Sequence, residues 1–242
     1  MNIITEIYNL LFDFKNRKKN RFLRTIDQEF REKCINNLAH SKAQKIQDLF
    51  VLSELKFKEN GFFVEFGATN GIELSNTFLL EKRFKWKGIL AEPAKSWHND
   101  LYKNRTAQIE TKCVWGASGE ILKFNETSEA ELSTIATFTN SDKLKESRQK
   151  GIIYDVETIS LEDLLDKYDA PELIDYLSID TEGSEFEILQ KFNFDKYKFR
   201  VITCEHNYSE TRKKIHQLLT KNGYKRKYER LSKFDDWYVL DR

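Results

Sequence analysis

Residues 61–71 read Gly-Phe-Phe-Val-Glu-Phe-Gly-Ala-Thr-Asn-Gly. The apolar run that ends at Phe66 predicts a buried β-strand, because it is short, rich in aromatic and β-branched residues and bounded by glycines. Gly67 follows directly, and a glycine lets the backbone turn sharply and approach a ligand. Apolar residues then repeat at helical spacing over residues 74–85. The stretch therefore predicts a strand, a tight turn and a helix in succession.

The same alternation of short strands with helical segments continues along the chain. Strands are predicted at residues 88–91, 107–115, 119–124, 174–179, 199–204, 224–229 and 237–240. Helices are predicted at residues 96–103, from Ser160 onward, and at 184–192 and 209–222. We predict a turn at Phe234-Asp235-Asp236. The alternation predicts an α/β fold, a Rossmann-like seven-stranded, mostly parallel sheet between helices.

Two regions fall outside this pattern. Residues 125–150 are polar and without a clear period, so we predict a long loop or a flap that orders when substrate binds. Residues 1–58 are helical in pattern and contain no glycine or proline. We predict a domain organisation of an N-terminal helical appendage at 1–58 and a main domain at 59–242.

The start of the appendage combines an apolar stripe with a basic run. The stripe spans residues 3–14, and the basic residues cluster at 15–24. We expect these helices to pack against the main domain or against a second subunit, which would make the protein a homo-oligomer. The alternative is an amphipathic helix that lies on an anionic membrane surface.

Composition narrows the class of protein. The 40 basic residues nearly balance the 39 acidic ones, so the overall charge predicts no nucleic-acid partner. The three cysteines are far apart and lack metal-site spacing, which favours a reducing, cytoplasmic location. No apolar run reaches the roughly 20 residues of a transmembrane helix.

The turn after the first strand predicts an adenosine-containing ligand. Glu92 ends the second predicted strand, 21 residues after Gly71, where an acidic residue binds ribose hydroxyls. The turn lacks the second glycine of GxGxxG that would admit a pyrophosphate. Glu65 would repel a pyrophosphate but suits the ammonium and sulfonium charges of S-adenosylmethionine. The turn therefore favours S-adenosylmethionine over a dinucleotide.

A second group of polar residues follows the fourth and fifth strands of the predicted sheet. Asp180 and the run Glu205-His206-Asn207 should converge, because parallel neighbours end at the same edge. Asp180, Glu205 and Asn207 are suitable ligands for Mg²⁺ or Mn²⁺, which would assist removal of a hydroxyl proton. One alternative makes His206 a metal-free general base. The other is that these residues only cap helices and bind water.

Five stretches resemble the FkbM family of class I methyltransferases. They are Phe63–Ala68, Ser75–Thr77, Leu90–Pro93, Asp180–Glu185 and Glu205–Asn207. The resemblance covers residues 60–241 and does not include the appendage. It implies an O-methyltransferase that uses S-adenosylmethionine and a sugar or sugar-containing acceptor. The Asp180 and Glu205 groups are also similar to those of metal-dependent catechol-type O-methyltransferases.

The resemblance and the pattern together give a candidate site. The catalytic residues are expected to be Asp180, His206 and Glu205. The expected cofactor-binding residues are Glu65, Gly67, Ala68, Thr69, Gly71, Asn76, Glu92, Pro93, Trp115 and Ser118. Trp97 and His98 are further candidates to flank the adenosine, although helix packing explains them equally well.

Two other functions remain open from the sequence. A nicotinamide-dependent oxidoreductase could use the same sheet, and a non-catalytic adapter could use the appendage to bind partners. The C-terminal part is rich in basic residues over 213–230. They predict either a solvated helix face or contacts to a phosphate-bearing acceptor such as a nucleotide sugar.

Overall fold

The main sheet carries the predicted fold. The computed structural model describes residues 17–127, 133–136 and 151–241, and their side chains from residue 21 onward. Seven strands form one sheet: β1 (Phe62–Phe66), β2 (Lys87–Ala91), β3 (Gln108–Glu110), β8 (Leu173–Ile179), β9 (Lys198–Glu205), β10 (Tyr224–Lys227) and β11 (Asp235–Leu240). Their order is β10-β11-β9-β8-β1-β2-β3. The α/β prediction of seven strands is confirmed.

Strand direction also follows the prediction. Strands β3, β2, β1, β8 and β9 are parallel neighbours, while β11 is antiparallel to both β9 and β10. This is the strand order of a Rossmann-like methyltransferase, with the last strand inserted antiparallel. Both faces of the sheet are buried, because Val64 and Phe66 of β1 pack in one hydrophobic cluster and Phe63 packs in another.

Nine α-helices lie among the described residues. They are α1 (Arg17–Thr25), α2 (Gln28–Asn37), α3 (Gln47–Glu54), α4 (Phe78–Phe84), α5 (His98–Asn104), α6 (Leu161–Lys167), α7 (Glu185–Lys191), α8 (Thr211–Lys221) and α9 (Glu229–Ser232). Helix α6 begins as predicted, since the Ser160 hydroxyl oxygen accepts the backbone N–H of Asp163 at 3.0 Å. Among the described residues, no helix has both the length and the apolarity to cross a membrane.

A second, smaller sheet was not predicted. Its strands are β4 (Cys113–Trp115), β5 (Ile121–Glu126), β6 (Thr134–Ile135) and β7 (Ile152–Ser160), in the order β4-β7-β5-β6. The single strand predicted at 107–115 is therefore wrong: β3 stays in the main sheet, and β4 pairs with β7 instead. Strand β7 was missed altogether. Only residues 125–127 and 133–136 of the predicted flap are described.

The described part of the appendage packs directly on the main sheet. Phe50 of α3 stacks on Trp237 of β11, with ring centroids 4.6 Å apart, and Phe22 of α1 lies edge-on to the same indole at 6.1 Å. All three rings are buried. The cluster that holds them also contains Tyr176 and Val201 of the main sheet. The first 16 residues, which carry the apolar stripe, lie outside the described part.

The turn predicted at residues 234–236 is wrong. Asp235 and Asp236 belong to β11, where they pair with Glu205 and Cys204 of β9. Both aspartates are buried. Asp236 is accommodated by Arg212 and Arg226, while burial raises the pKa of Asp235 to about 8. Two adjacent carboxylates in sequence suggest an exposed turn, and only these tertiary contacts explain why they are in a strand.

Candidate functional site

A cleft opens at the edge of the main sheet where β1, β2, β8 and β9 end. Its volume is about 980 Å³ including the part open to solvent. Parallel strands bring their carboxyl ends to one edge, so residues far apart in sequence line the same cleft. Predicted site residues in its lining are Glu65, Gly67, Thr69, Asn76, Glu92, Pro93, Asp180 and Glu205.

The turn after β1 depends on Gly67. Its φ is +72°, and a Cβ at this position would lie 2.1 Å from the backbone oxygen of Asp180. A side chain is therefore excluded twice, by backbone conformation and by the closeness of the β8 end. The result is that the turn and Asp180 form adjoining walls of the cleft. Gly71, in contrast, lies outside the cleft lining and packs on the side chain of Arg105.

Glu92 ends β2 inside the cleft, as predicted. One carboxylate oxygen accepts the backbone N–H of Thr69 at 2.8 Å, and the other accepts the backbone N–H of Ala94 at 2.8 Å. Only 5% of the residue is exposed. Burial raises the pKa of Glu92 to about 7, against the effect of the two N–H donors. The carboxylate is thus held rigidly between the glycine turn and the start of the next loop.

Glu65 lines the cleft but is already engaged within the protein. Its carboxylate accepts hydrogen bonds from the Ser75 hydroxyl and from the backbone N–H of Asn76 at 2.6 Å. The Thr77 hydroxyl also donates to it, and the guanidinium of Arg105 lies 3.7 Å away. Burial raises the pKa of Glu65 while these partners oppose that shift. Arg105 was not singled out from the sequence, although it is the buried cation that accompanies this carboxylate.

Near Glu65, Asn76 provides a hydrogen-bond acceptor that has no partner in the described part of the chain. Its side-chain N–H donates to the Ser178 hydroxyl at 2.9 Å. Its Oδ1 is buried and makes no hydrogen bond to any of the described residues. A buried amide oxygen of this kind usually has a donor, so a ligand that supplies one would fit here.

Three carboxylates converge at the ends of β8 and β9. One oxygen from each of Asp180, Glu182 and Glu205 lies within 4.8 Å of the other two. Burial raises the pKa of Asp180, and burial with the nearby charge of Asp180 raises that of Glu205 well above its usual range. The Asn207 side chain donates to Glu205 at 2.9 Å and to Glu182 at 3.1 Å. The predicted convergence is therefore present.

Glu182 was missed, although a signal for it existed. It lies two residues after Asp180 in Asp-Thr-Glu-Gly, the most characteristic of the stretches that resemble the FkbM family. Its φ of 56° places it in a left-handed turn before Gly183. The alternation of side chains along β8 ends with the strand and so does not predict where Glu182 points. The conformation of the turn after β8 places Glu182 in the cleft lining.

His206 lies outside the cleft lining. Its Nδ1 accepts the backbone N–H of Tyr208 at 3.0 Å, and its Nε2 lies 3.8 Å from Asp236. Burial lowers the pKa of the imidazole to about 4, with help from Arg212 and against the effect of Asp236. Glu205, the last residue of β9, faces the cleft, whereas His206 after it faces Asp236.

Other predicted cofactor residues are also placed elsewhere. Ala68 is buried beneath the turn, outside the cleft lining. The Trp115 ring donates to Glu120 at 3.1 Å, and the Ser118 hydroxyl donates to Asp163, both beside a separate groove. The apolar wall of the cleft is formed instead by residues of β4, β5 and β6: Cys113, Val114, Phe124 and Ile135. Sequence reasoning missed Phe124 and Ile135 of this wall, because these residues belong to the unpredicted sheet.

The remaining candidates lie outside the cleft lining. A ring nitrogen of His98 lies 2.9 Å from the backbone oxygen of Glu92, and neither His98 nor Trp97 lines the cleft. The basic C-terminal residues lie outside it as well. Lys225 pairs with Asp241, and Lys227 pairs with Glu54.

Comparison with known families identifies the family of this chain. The profile of the Methyltransferase FkbM domain matches residues 65–226, which span the glycine turn, Glu92 and the three carboxylates. The chain belongs to the FkbM family. The members of this family are S-adenosylmethionine-dependent methyltransferases. No curated protein matches this chain.

Two solved structures are similar to this FkbM-family chain. One is precorrin-6y C5,15-methyltransferase from Geobacter metallireducens GS-15, at 13% identity and a TM-score of 0.41, with 82% of this chain and 91% of that chain covered. The other is the ribosomal protein L11 methylase from Lactobacillus delbrueckii subsp. bulgaricus. It has 10% identity and a TM-score of 0.41, with 81% of this chain and 76% of that chain covered.

Proposed function

We propose that this chain transfers the methyl group of S-adenosylmethionine to a hydroxyl of a sugar or sugar-containing acceptor. The observation that supports the proposal is the cleft itself, which has Glu92 at one end and the Asp180, Glu182 and Glu205 carboxylates at the other. Glu92 is suited to bind the hydroxyls of a ribose. The group of three carboxylates is suited to an acceptor hydroxyl that must lose its proton.

The cleft residues fit the parts of S-adenosylmethionine. Glu92 would accept the ribose hydroxyls, and the wall of Cys113, Phe124 and Ile135 would cover the adenine. The unpartnered Asn76 Oδ1 would accept the ammonium of the methionine part. Glu65 would keep its charge near that ammonium while it holds the loop of residues 75–77 in place.

The three carboxylates would assist the acceptor hydroxyl, and we propose that they do so with Mg²⁺ or Mn²⁺. Carboxylates held this close repel one another unless they are protonated or share a cation. Asp180, Glu182 and Glu205 would hold the ion, and Asn207 would complete the set if its amide oxygen turned toward them. A bound divalent ion would lower the pKa of a nearby hydroxyl. Without it, Asp180 is the carboxylate placed to accept that proton.

His206 is the weaker candidate for this role. It is neutral at pH 7, as a base must be, but it faces Asp236 and not the cleft. We propose that it holds the end of β9 and so orients Glu205 and Asn207.

Ligand binding tests the proposed function. Thermal-shift measurements should show stabilisation by S-adenosylmethionine and by S-adenosylhomocysteine, and none by NAD. Stabilisation by NAD alone would favour the oxidoreductase. Absence of any response would favour a non-catalytic adapter that keeps the fold.

Metal binding is tested separately. Electron paramagnetic resonance should detect Mn²⁺ bound to the parent protein, and Asp180→Asn should lose that signal while S-adenosylmethionine still binds. Asp195→Asn, at an exposed position remote from the cleft, is the matched control. An unchanged Mn²⁺ signal in Asp180→Asn would exclude this site. Loss of S-adenosylmethionine binding would show that Asp180 belongs to the cofactor site.

A further inference from the structure

A smaller pocket adjoins the cleft on the side away from Glu92. Its volume is about 340 Å³ including the part open to solvent, and it shares Asp180, Glu205 and Asn76 with the cleft. Its other walls include Thr203, Phe234 and Asp235. In the main sheet, β1, β8 and β9 lie between β2, which precedes Glu92, and β11, which carries Asp235. The pocket is therefore reached from the carboxylate end of the cleft and not from the ribose end.

Asp235 presents an unpartnered oxygen in this pocket. The residue is 3% exposed. Its Oδ2 accepts the Gln47 amide at 2.9 Å and the Trp237 indole N–H at 3.0 Å. Its Oδ1 is buried and has no hydrogen-bond partner among the described residues. A buried carboxylate oxygen without a donor is costly, so ionised Asp235 offers the pocket an acceptor that a ligand hydroxyl would satisfy.

The appendage forms the outer wall of the pocket. Gln47 is held at both ends, because its oxygen accepts the backbone N–H of Lys45 at 2.7 Å and its nitrogen donates to Asp235. Gln44 lines both the pocket and the cleft. The segment is anchored to the loop before α4 by a bridge between Ala43 and Leu74. The appendage thus closes a space beside the carboxylates.

The charge of the pocket restricts what enters it. Asp180, Glu205 and Asp235 all line it, and none of its described lining residues is a lysine or an arginine. In the absence of a bound cation, a phosphate or carboxylate would meet the three acidic groups of this lining. A neutral polyhydroxy group, in contrast, can donate to the free Asp235 oxygen and pack its carbon face on Phe234.

We propose that this pocket binds the acceptor, and that Asp235 positions it by accepting a hydrogen bond from a hydroxyl of an uncharged sugar. The inference rests on the proposed methyl transfer and names the acceptor class and its subsite. It also assigns a role to the appendage, which provides Gln44 and Gln47.

The Trp237 indole N–H reports on Asp235 directly, since the two are hydrogen bonded. In ¹⁵N-labelled, metal-free protein at about pH 9, where Asp235 is ionised, uncharged methyl glycosides should shift the Trp237 indole signal saturably, with and without S-adenosylhomocysteine, and the matching sugar phosphates should not. Asp235→Asn replaces the free acceptor by a donor and should weaken glycoside binding by about tenfold or more. It should leave S-adenosylhomocysteine binding unchanged, as should the control Asp195→Asn.

Phe234→Ala is the second variant, should Asp235→Asn fail to fold. It should also weaken glycoside binding, because it removes the apolar wall and keeps Asp235. The proposal is overturned if no glycoside shifts the Trp237 signal, if sugar phosphates bind equally well, or if both variants bind glycosides like the parent. A glycoside response without any S-adenosylhomocysteine binding would keep the pocket and overturn the proposed methyl transfer.

Discussion

Glu92 is the residue through which the cleft is expected to recognise the cofactor. It is buried, it ends β2, and both of its oxygens are already fixed by backbone N–H groups of Thr69 and Ala94. A carboxylate held in one orientation loses little freedom when it binds two hydroxyls, so it should contribute strongly to affinity.

Glu92→Ala should weaken S-adenosylmethionine binding by about 1.5–3 kcal/mol, since charge-assisted hydrogen bonds are lost. Calorimetry measures the difference. Glu59→Ala, at an exposed position, is the control. Equal affinity in Glu92→Ala and the parent would exclude Glu92 from ribose recognition.

The raised pKa of Glu92 predicts a pH dependence of the same binding. The ionised carboxylate is the better acceptor, and with a pKa of about 7 it becomes protonated as the pH falls. S-adenosylmethionine affinity should therefore drop by about tenfold between pH 8 and pH 6. Glu92→Gln should remove most of this dependence. The same slope in Glu92→Gln would assign the titration to another group.

At the scale of elements, the small sheet determines how the cleft is covered. Strand β6 pairs with β5, and its neighbour Ser133 and its own Ile135 line the cleft. The Thr134 hydroxyl donates to the backbone oxygen of Glu182 at 3.0 Å, which ties β6 to the carboxylate group. Part of the segment predicted as a flap thus lines the cleft.

Cofactor binding should slow amide exchange in residues 133–136. A ligand that fills the cleft contacts this strand and reduces its opening. Hydrogen exchange with and without S-adenosylhomocysteine measures the effect, with α8 as the internal control because it lines neither cavity. Full protection of residues 133–136 in the free protein would contradict a cover that orders on binding.

At the scale of the whole molecule, the described helices of the appendage and the main sheet share one hydrophobic cluster. Phe22 and Phe50 contact Trp237, and Gln47 reaches Asp235 at the start of the same strand. Because the contacts between these parts are buried and aromatic, the two should unfold together.

Phe50→Ala should lower the free energy of unfolding by about 3–5 kcal/mol, as removal of a fully buried aromatic ring does. Urea denaturation followed by circular dichroism and by tryptophan fluorescence measures it, and the two signals should give one transition. The half-buried Phe57→Ala should cost less. Two separate transitions would show that the appendage is an independent unit.

The sequence alone was sufficient to predict the main sheet and the strand-terminal acids of the cleft. Apolar periodicity and the glycine after β1 are local signals, so the strand-turn-helix unit and the strand-terminal acids Glu92, Asp180 and Glu205 could be predicted from them. Parallel strands then had to bring those acids to one edge.

Only the tertiary structure decided which neighbours face the cleft. Glu205 faces it and His206 does not, because His206 follows the end of β9 and is held against Asp236 and the backbone of Tyr208. The pairing of β4 with β7 and the burial of Asp235 depend on residues distant in sequence, which no local pattern contains. For the same reason, the contribution of Gln44 and Gln47 to the site could not be predicted. It arises because the appendage packs against β11, which is distant in sequence.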